Sequence, residues 1–281
     1  MEVNNNKSDK GGYQAHAISV INFLLEMQGM DIIMRQFLTI LKMDLSNLAK
    51  SFIMIQYNTL FPIALILILG FLCQGNYGSG GVSSYDYYGV TMLLFTVLNV
   101  SVSAANSFME KSIKSSNLRI VFSPIKTLYI YTSKIIATFL FTSVCYIAVI
   151  LFCNFLLGVN FGGSNIGYVI LLILLLDLLS STIGVFFCCI FKSEEGASQV
   201  LSMLNNIFGV LGGLFFQMDG FGKVARTVSC ISPAKWILEG IMKVIYDGDL
   251  SVVIPITIIF LVLTIIFAFA CRITFRTEDY I

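Results

Sequence analysis

The chain has 281 residues, 57% hydrophobic and 12% charged, with a mean hydropathy of +0.87. So few charges cannot coat a soluble fold of this size, and a net charge of +1 provides no basic field for nucleic acid. Apolar windows of about 20 residues recur, long enough to cross about 30 Å of hydrocarbon, without the alternation of a membrane β-barrel. The fold class is an all-α polytopic membrane protein.

Residues 1–29 begin polar and turn mildly apolar, too late and too briefly for a signal peptide; they read as a peripheral extension. Residues 30–50 follow as an amphipathic helix, with Asp31, Arg35, Thr39, Lys42, Ser46 and Lys50 opposite Ile33, Met34, Phe37, Leu41, Leu45 and Leu48. Such a helix suits the membrane interface. Six spans are expected at about 52–73, 89–109, 127–158, 166–191, 197–217 and 252–271, with a cytoplasmic tail at 277–281. Pro62 lies inside the first, where a membrane helix tolerates it.

Of the Lys and Arg residues, thirteen fall on the side that holds both termini. The other four, Lys223, Arg226, Lys235 and Lys243, all lie in the last loop. Positive charge is retained inside, so the expected topology is a multi-pass cell-membrane protein with both termini cytoplasmic.

Chemistry of the soluble-enzyme kind has no foothold. His16 is the single histidine and lies in the extension, which rules out His-based triads and His-ligated metals. Gly222-Lys223 is the nearest approach to a phosphate-binding loop, but Gln217 and Val224 stand where that pattern needs Gly and Ser/Thr. Seven scattered cysteines show no metal-ligand spacing and read as small hydrophobes. No catalytic residue, metal site or cofactor is expected in this chain.

Intramembrane polar residues are the informative ones, because lipid cannot satisfy them. Asp177, inside LLILLLDLLSS, is either an ionisable transport site or an inward acid hydrogen-bonded between helices. Two helical stripes stand out: Thr96, Asn99, Ser103 and Asn106 on the second span, and Ser198, Ser202, Asn205, Gly209 and Gly212 on the fifth. They suit close packing, including the Gly209/Gly213 GxxxG pair, or the lining of a substrate pathway. The basic connection Glu110–Lys126 carries Lys111, Lys114 and Arg119 beside the apolar Leu118 and Phe122, before Ser123-Pro124. A simple charge anchor avoids exposed apolar side chains, so docking of a soluble partner is the favoured reading.

Together these pieces resemble the permease subunit of an ABC-2 type ABC transporter, over about residues 30–276. The resemblance rests on Lys42 and Asp44 before a Pro62-containing span, and on Ser123-Pro124 followed by Lys134. It continues through Glu194-Glu195-Gly196-Ala197, Gly212-Gly213-Leu214-Phe215-Phe216, and Ile231-Ser232-Pro233 with Trp236 and Glu239. A proline that usually follows the Gly-Gly-Leu-Phe-Phe segment is replaced by Gln217-Met218-Asp219.

The resemblance implies two permease subunits per transporter, as a homodimer or related heterodimer. It also implies two copies of a separate ATPase that binds ATP and Mg and pushes on Glu110–Lys126. Alternating access would then export a hydrophobic or amphiphilic cargo such as a drug, antimicrobial peptide or lipid. Phe216, Gln217, Ser232, Pro233, Trp236 and Glu239 would form an outer gate and an amphipathic or re-entrant lid between the fifth and sixth spans, with Glu239 spaced to meet Lys243. Two rivals are an ion-gradient carrier or channel built on Asp177, and a non-transporting immunity or scaffold protein.

Overall fold

The computed structural model describes residues 34–76, 82–109, 127–216 and 227–275. The N-terminal extension, the basic connection with Lys111, Lys114, Leu118, Arg119, Phe122, Ser123 and Pro124, the residue Gln217, and the tail lie outside the described residues. What is described is helical, without a strand. The elements are α1 (34–50), α2 (Phe52–Leu72), α3 (Ser84–Leu98), α4 (Val100–Met109) and α5 (Thr127–Leu156). They continue as α6 (Ile166–Phe191), α7 (Glu194–Leu211), α8 (Pro233–Met242) and α9 (Val253–Thr274).

Local chemistry sets the ends. Ser51 accepts from Met54 N to open α2, and Ser83 with Asp86 forms a reciprocal capping box on α3. Ser193 accepts from Gly196 N to open α7, whose first turn places Glu194 and Glu195 where the helix dipole favours acids. Pro233 occupies the first turn of α8, where its missing N–H costs nothing.

Among the described residues, five helices are long and apolar enough to cross a membrane: α2, the pair α3–α4, α5, α6 with its preceding turn, and α9. The expected fifth span at 197–217 differs. Its helix covers Glu194–Leu211 and ends in a Schellman turn: Gly213 N–H donates to Val210 O, Leu214 N–H to Gly209 O, and Gly213 adopts φ +75°. Two acids at its start and the early stop at Gly213 make it shorter and more polar than the others.

The bundle is arranged around α6, which touches α3, α4, α5, α7, α8 and α9. Its Leu172, Ile173 and Leu176 join Leu94 of α3, Ile237 and Ile241 of α8 and Phe260 of α9 in the main core. A second cluster on the cytoplasmic side of the expected topology brings Ala105 and Phe108 of α4 to Cys188 of α6 and Leu201 of α7. The apolar windows of α2 and α9 are only 17% buried, as befits helices whose outer faces meet lipid.

Helix α1 buries Ile40, Asp44 and Leu48, with Leu41 and Leu45 of the expected apolar face partly buried beside them. Leu48 packs with Ala137, Phe141 and Cys145 of α5. Asp44 then meets Lys134 at 2.6 Å and accepts from Ser133 Oγ at 3.1 Å. This pair joins two elements 90 positions apart, a distance that local patterning does not span. All seven cysteines are thiols.

The second span is two helices, not one. Asn99 Nδ2 donates to Phe95 O at 2.9 Å and Ser101 Oγ to Leu98 O at 2.9 Å, so side chains compete with the ladder where the helix breaks. The break is seated on Gly184 of α6: a Cβ there would overlap the Ser101 carbonyl oxygen and sit 2.8 Å from Ala104 Cβ.

Candidate functional site

Both polar stripes face each other across the α4–α7 contact. Asn205 Nδ2 donates to Asn99 Oδ1 at 3.2 Å and to Ser101 Oγ at 3.0 Å. Nearer the start of α7, Ser198 Oγ donates to Asn106 Oδ1 at 2.8 Å. Thr96 and Ser103 are buried beside them, Thr96 donating to Leu93 O. Each hydrogen bond satisfies a group that apolar surroundings would otherwise leave bare.

The glycines of the same stripe also pack inside the subunit. A Cβ on Gly209 would lie 3.1 Å from Phe95 and Phe215, and one on Gly212 would lie 3.0 Å from Ala234 and Ser232. Ser202 is half-buried. Asn205 therefore holds two helices together. Asn205→Leu is expected to lower stability by about 1–3 kcal/mol, because it leaves the Asn99 and Ser101 oxygens without their donor. Thermal unfolding of the purified protein measures it, and an unchanged midpoint would rule out this bridging role.

The outward face of α7 carries different residues: Gln199, Met203, Asn206 and Val210 are exposed, about half a turn from the buried Leu201, Asn205 and Gly209. Gln199 and Asn206 were not among the sequence candidates. Their signal was present, since two amides on an outward helix face are as costly in lipid as those of the stripes.

Beyond the Schellman turn the chain is clamped by α3. Tyr87 OH donates to Gly213 O at 2.6 Å and Tyr88 OH to Phe215 O at 3.4 Å, while the Phe95 and Phe215 rings meet edge to face at 4.9 Å. Phe216 is exposed. Ser232 Oγ donates to Phe208 O at 2.7 Å and anchors the entry to α8. Helix α8, opened by Pro233, buries Ile237 and Ile241 with Val244 of the following turn, and leaves Trp236 half-exposed with Nε1 donating to Cys230 O at 2.8 Å.

The expected partner of Glu239 is corrected. It sits 3.5 Å from Lys235, one turn before it, and Lys235 also donates to Ser229 Oγ. Nearby, Asp86 accepts from Asn160 N at 2.7 Å, and burial together with the Asp86 charge pushes the Tyr246 phenol up to about 12.

Asp177 is fully buried between α5 and α6. Thr142 Oγ lies 2.9 Å from both of its oxygens and Ser143 Oγ lies 3.2 Å from one. No cation contacts it among the described residues, so its geometry is that of a helix-to-helix bridge. A second bridge, Tyr146 OH, lies 3.0 Å from both Asn58 Oδ1 and Thr96 O, linking α5 to α2 and α3.

Between α7 and α9, over α6, lies an apolar cavity of about 390 Å³ that sequence reading did not anticipate. Leu176, Leu204, Phe208, Ile259 and Leu263 line it, together with Ser101, Ser180, Asn205 and Trp236.

The model for the ABC-2 type transporter matches residues 35–246. The chain belongs to that family. A stretch of 112 residues is 31% identical to the probable multidrug ABC transporter permease YbhS of Escherichia coli strain K12, and the same holds for YbhS of strain O157:H7. The stretch covers 38% of this chain and only 29% of either relative's length. Membership of the ABC-2 type family makes the chain a multi-pass membrane transport subunit.

Proposed function

We propose that this chain is the permease half of an ATP-driven exporter that moves a hydrophobic or amphiphilic cargo outward. In this reading α7 is a sixth crossing, both termini are cytoplasmic, and the chain pairs with a second permease subunit. A separate ATPase binds ATP and Mg and drives the cycle through Lys111, Lys114, Arg119 and the apolar residues beside them. Substrate must bind the inward state more tightly than the outward one, with ATP supplying the difference.

The observation that carries the reading is the outward face of α7. A helix in lipid does not present Gln199 and Asn206 to hydrocarbon, so that face belongs against a second subunit or a wet pathway. The face is mixed, with Met203 and Val210 between the amides, which suits an amphiphile better than a sugar chain or small ion. Multidrug transport in the name of the YbhS relatives agrees with that cargo class.

The apolar side of α8 is held on the core while Trp236 and Glu239 face outward, which supports a lid role for the segment from Ser232 to Glu239. Asp177 gives the ion-gradient alternative little support, because its oxygens are engaged by Thr142 and Ser143.

Purification from the native membrane tests the partnership. An ATPase of about 25–35 kDa, the size of one domain or slightly more, should accompany the chain. Asn206→Leu should then alter cargo selection or efflux rate with the complex intact, and charge reversal of Lys114 with Arg119 should uncouple ATP hydrolysis from transport. If no ATPase co-purifies, the exporter reading is wrong.

A further inference from the structure

We propose that the cavity between α7 and α9 is a binding site for one acyl chain of a membrane phospholipid, separate from the transport path. The site does not depend on the exporter reading, because it lies on the opposite side of α7 from the Gln199–Asn206 face. Leu201, Leu204, Asn205 and Phe208 turn toward it, whereas Gln199, Met203, Asn206 and Val210 turn away.

Three observations select the occupant. The walls are aliphatic and aromatic, and water does not settle in a space with so few polar partners, yet about 390 Å³ left empty would forfeit extensive packing. Ile259 and Leu263 line the cavity from α9, a helix whose apolar window is only 17% buried, so a mouth on that side opens to the acyl region of the bilayer. The length also fits: from Leu176 to Phe187 the α6 lining extends about 16 Å at 1.5 Å per helical residue, close to one leaflet of a core about 30 Å thick.

The polar lining agrees in chemistry. Trp236 is half-exposed and its indole is tied to Cys230 O, as an aromatic at the level of lipid headgroups would be. Ser180 lines the cavity with no side-chain hydrogen bond among the described residues, so one hydroxyl faces the space directly. A chain seated here props α7 away from α9, and any motion that closes the gap must first expel it.

The test uses the full chain in phosphatidylglycerol vesicles doped with the same lipid bearing a photoreactive diazirine near one acyl terminus. Labelled residues are mapped by mass spectrometry. Wild type should be labelled at Leu179 or Ser180, both buried away from the outer surface, as well as on the outward face of α2. Ile259→Trp and Leu263→Trp, each placing an indole in the mouth, should lower the interior labelling at least fivefold and leave the α2 labelling unchanged. Wild type without interior labelling overturns the proposal, and would be the result if another protein chain closes the cavity. Interior labelling that persists at full strength in a plugged variant with normal α2 labelling overturns it equally.

Discussion

Replacing either Asp44 or Lys134 by alanine is expected to cost about 3–5 kcal/mol, because each substitution strands the opposite charge in a site that water does not reach. The side chains are 1% and 3% exposed, 2.6 Å apart, and Ser133 contributes a further hydrogen bond to the carboxylate. The paired replacement Asp44→Leu with Lys134→Met should cost much less than the sum of the two single losses, since it removes both charges together. Thermal unfolding of the solubilised protein, run as a double-mutant cycle, gives the coupling directly. Single variants as stable as wild type would show that the pair does not fasten α1 to α5.

A second large effect is expected at Gly184. Alanine there drives its methyl into the Ser101 carbonyl and to within 2.8 Å of Ala104 Cβ, neither of which can swing aside. The cost should reach about 3 kcal/mol, the upper part of the range for overpacking. Gly240 provides the comparison: its added Cβ would meet the mobile end of Ile256 at 2.5 Å, which a rotamer change relieves at smaller cost. Gly167 has nothing within 4 Å, and alanine there should be neutral or slightly stabilising, because the unfolded chain loses freedom. The order Gly184, Gly240, Gly167 in decreasing loss of melting temperature is the expected result. A Gly184 variant as stable as the Gly167 variant would contradict the close approach.

Much of the helical framework was legible, because runs such as Ile166–Phe191 need no tertiary information to be recognised as membrane-crossing. The position of Asn205 was less so. Asn205 and Asn206 are neighbours, yet one helical step rotates the side chain by about 100°, enough to put one on α4 and the other outside. Sequence pattern finds polar residues in an apolar helix, but inward and outward amides look alike until a partner helix is in place.

The same limit hid the Asp44–Lys134 pair and the clamp of Tyr87 and Tyr88 on the Gly213–Phe215 turn, both contacts between distant stretches. The cavity was the least legible feature of all. It is bounded by α6, α7, α8 and α9 with the α3–α4 junction, and no one of them carries a signature of the space between them.

The break at Asn99 has a consequence for biogenesis. When α3 and α4 leave the ribosome, Asn99 Oδ1 and Ser101 Oγ enter the bilayer without the donor that later serves them both. That donor, Asn205, is more than a hundred positions downstream. The second span is thus completed only once α7 is in place. Until α7 arrives, nascent chains carry an unmet polar demand within the second span.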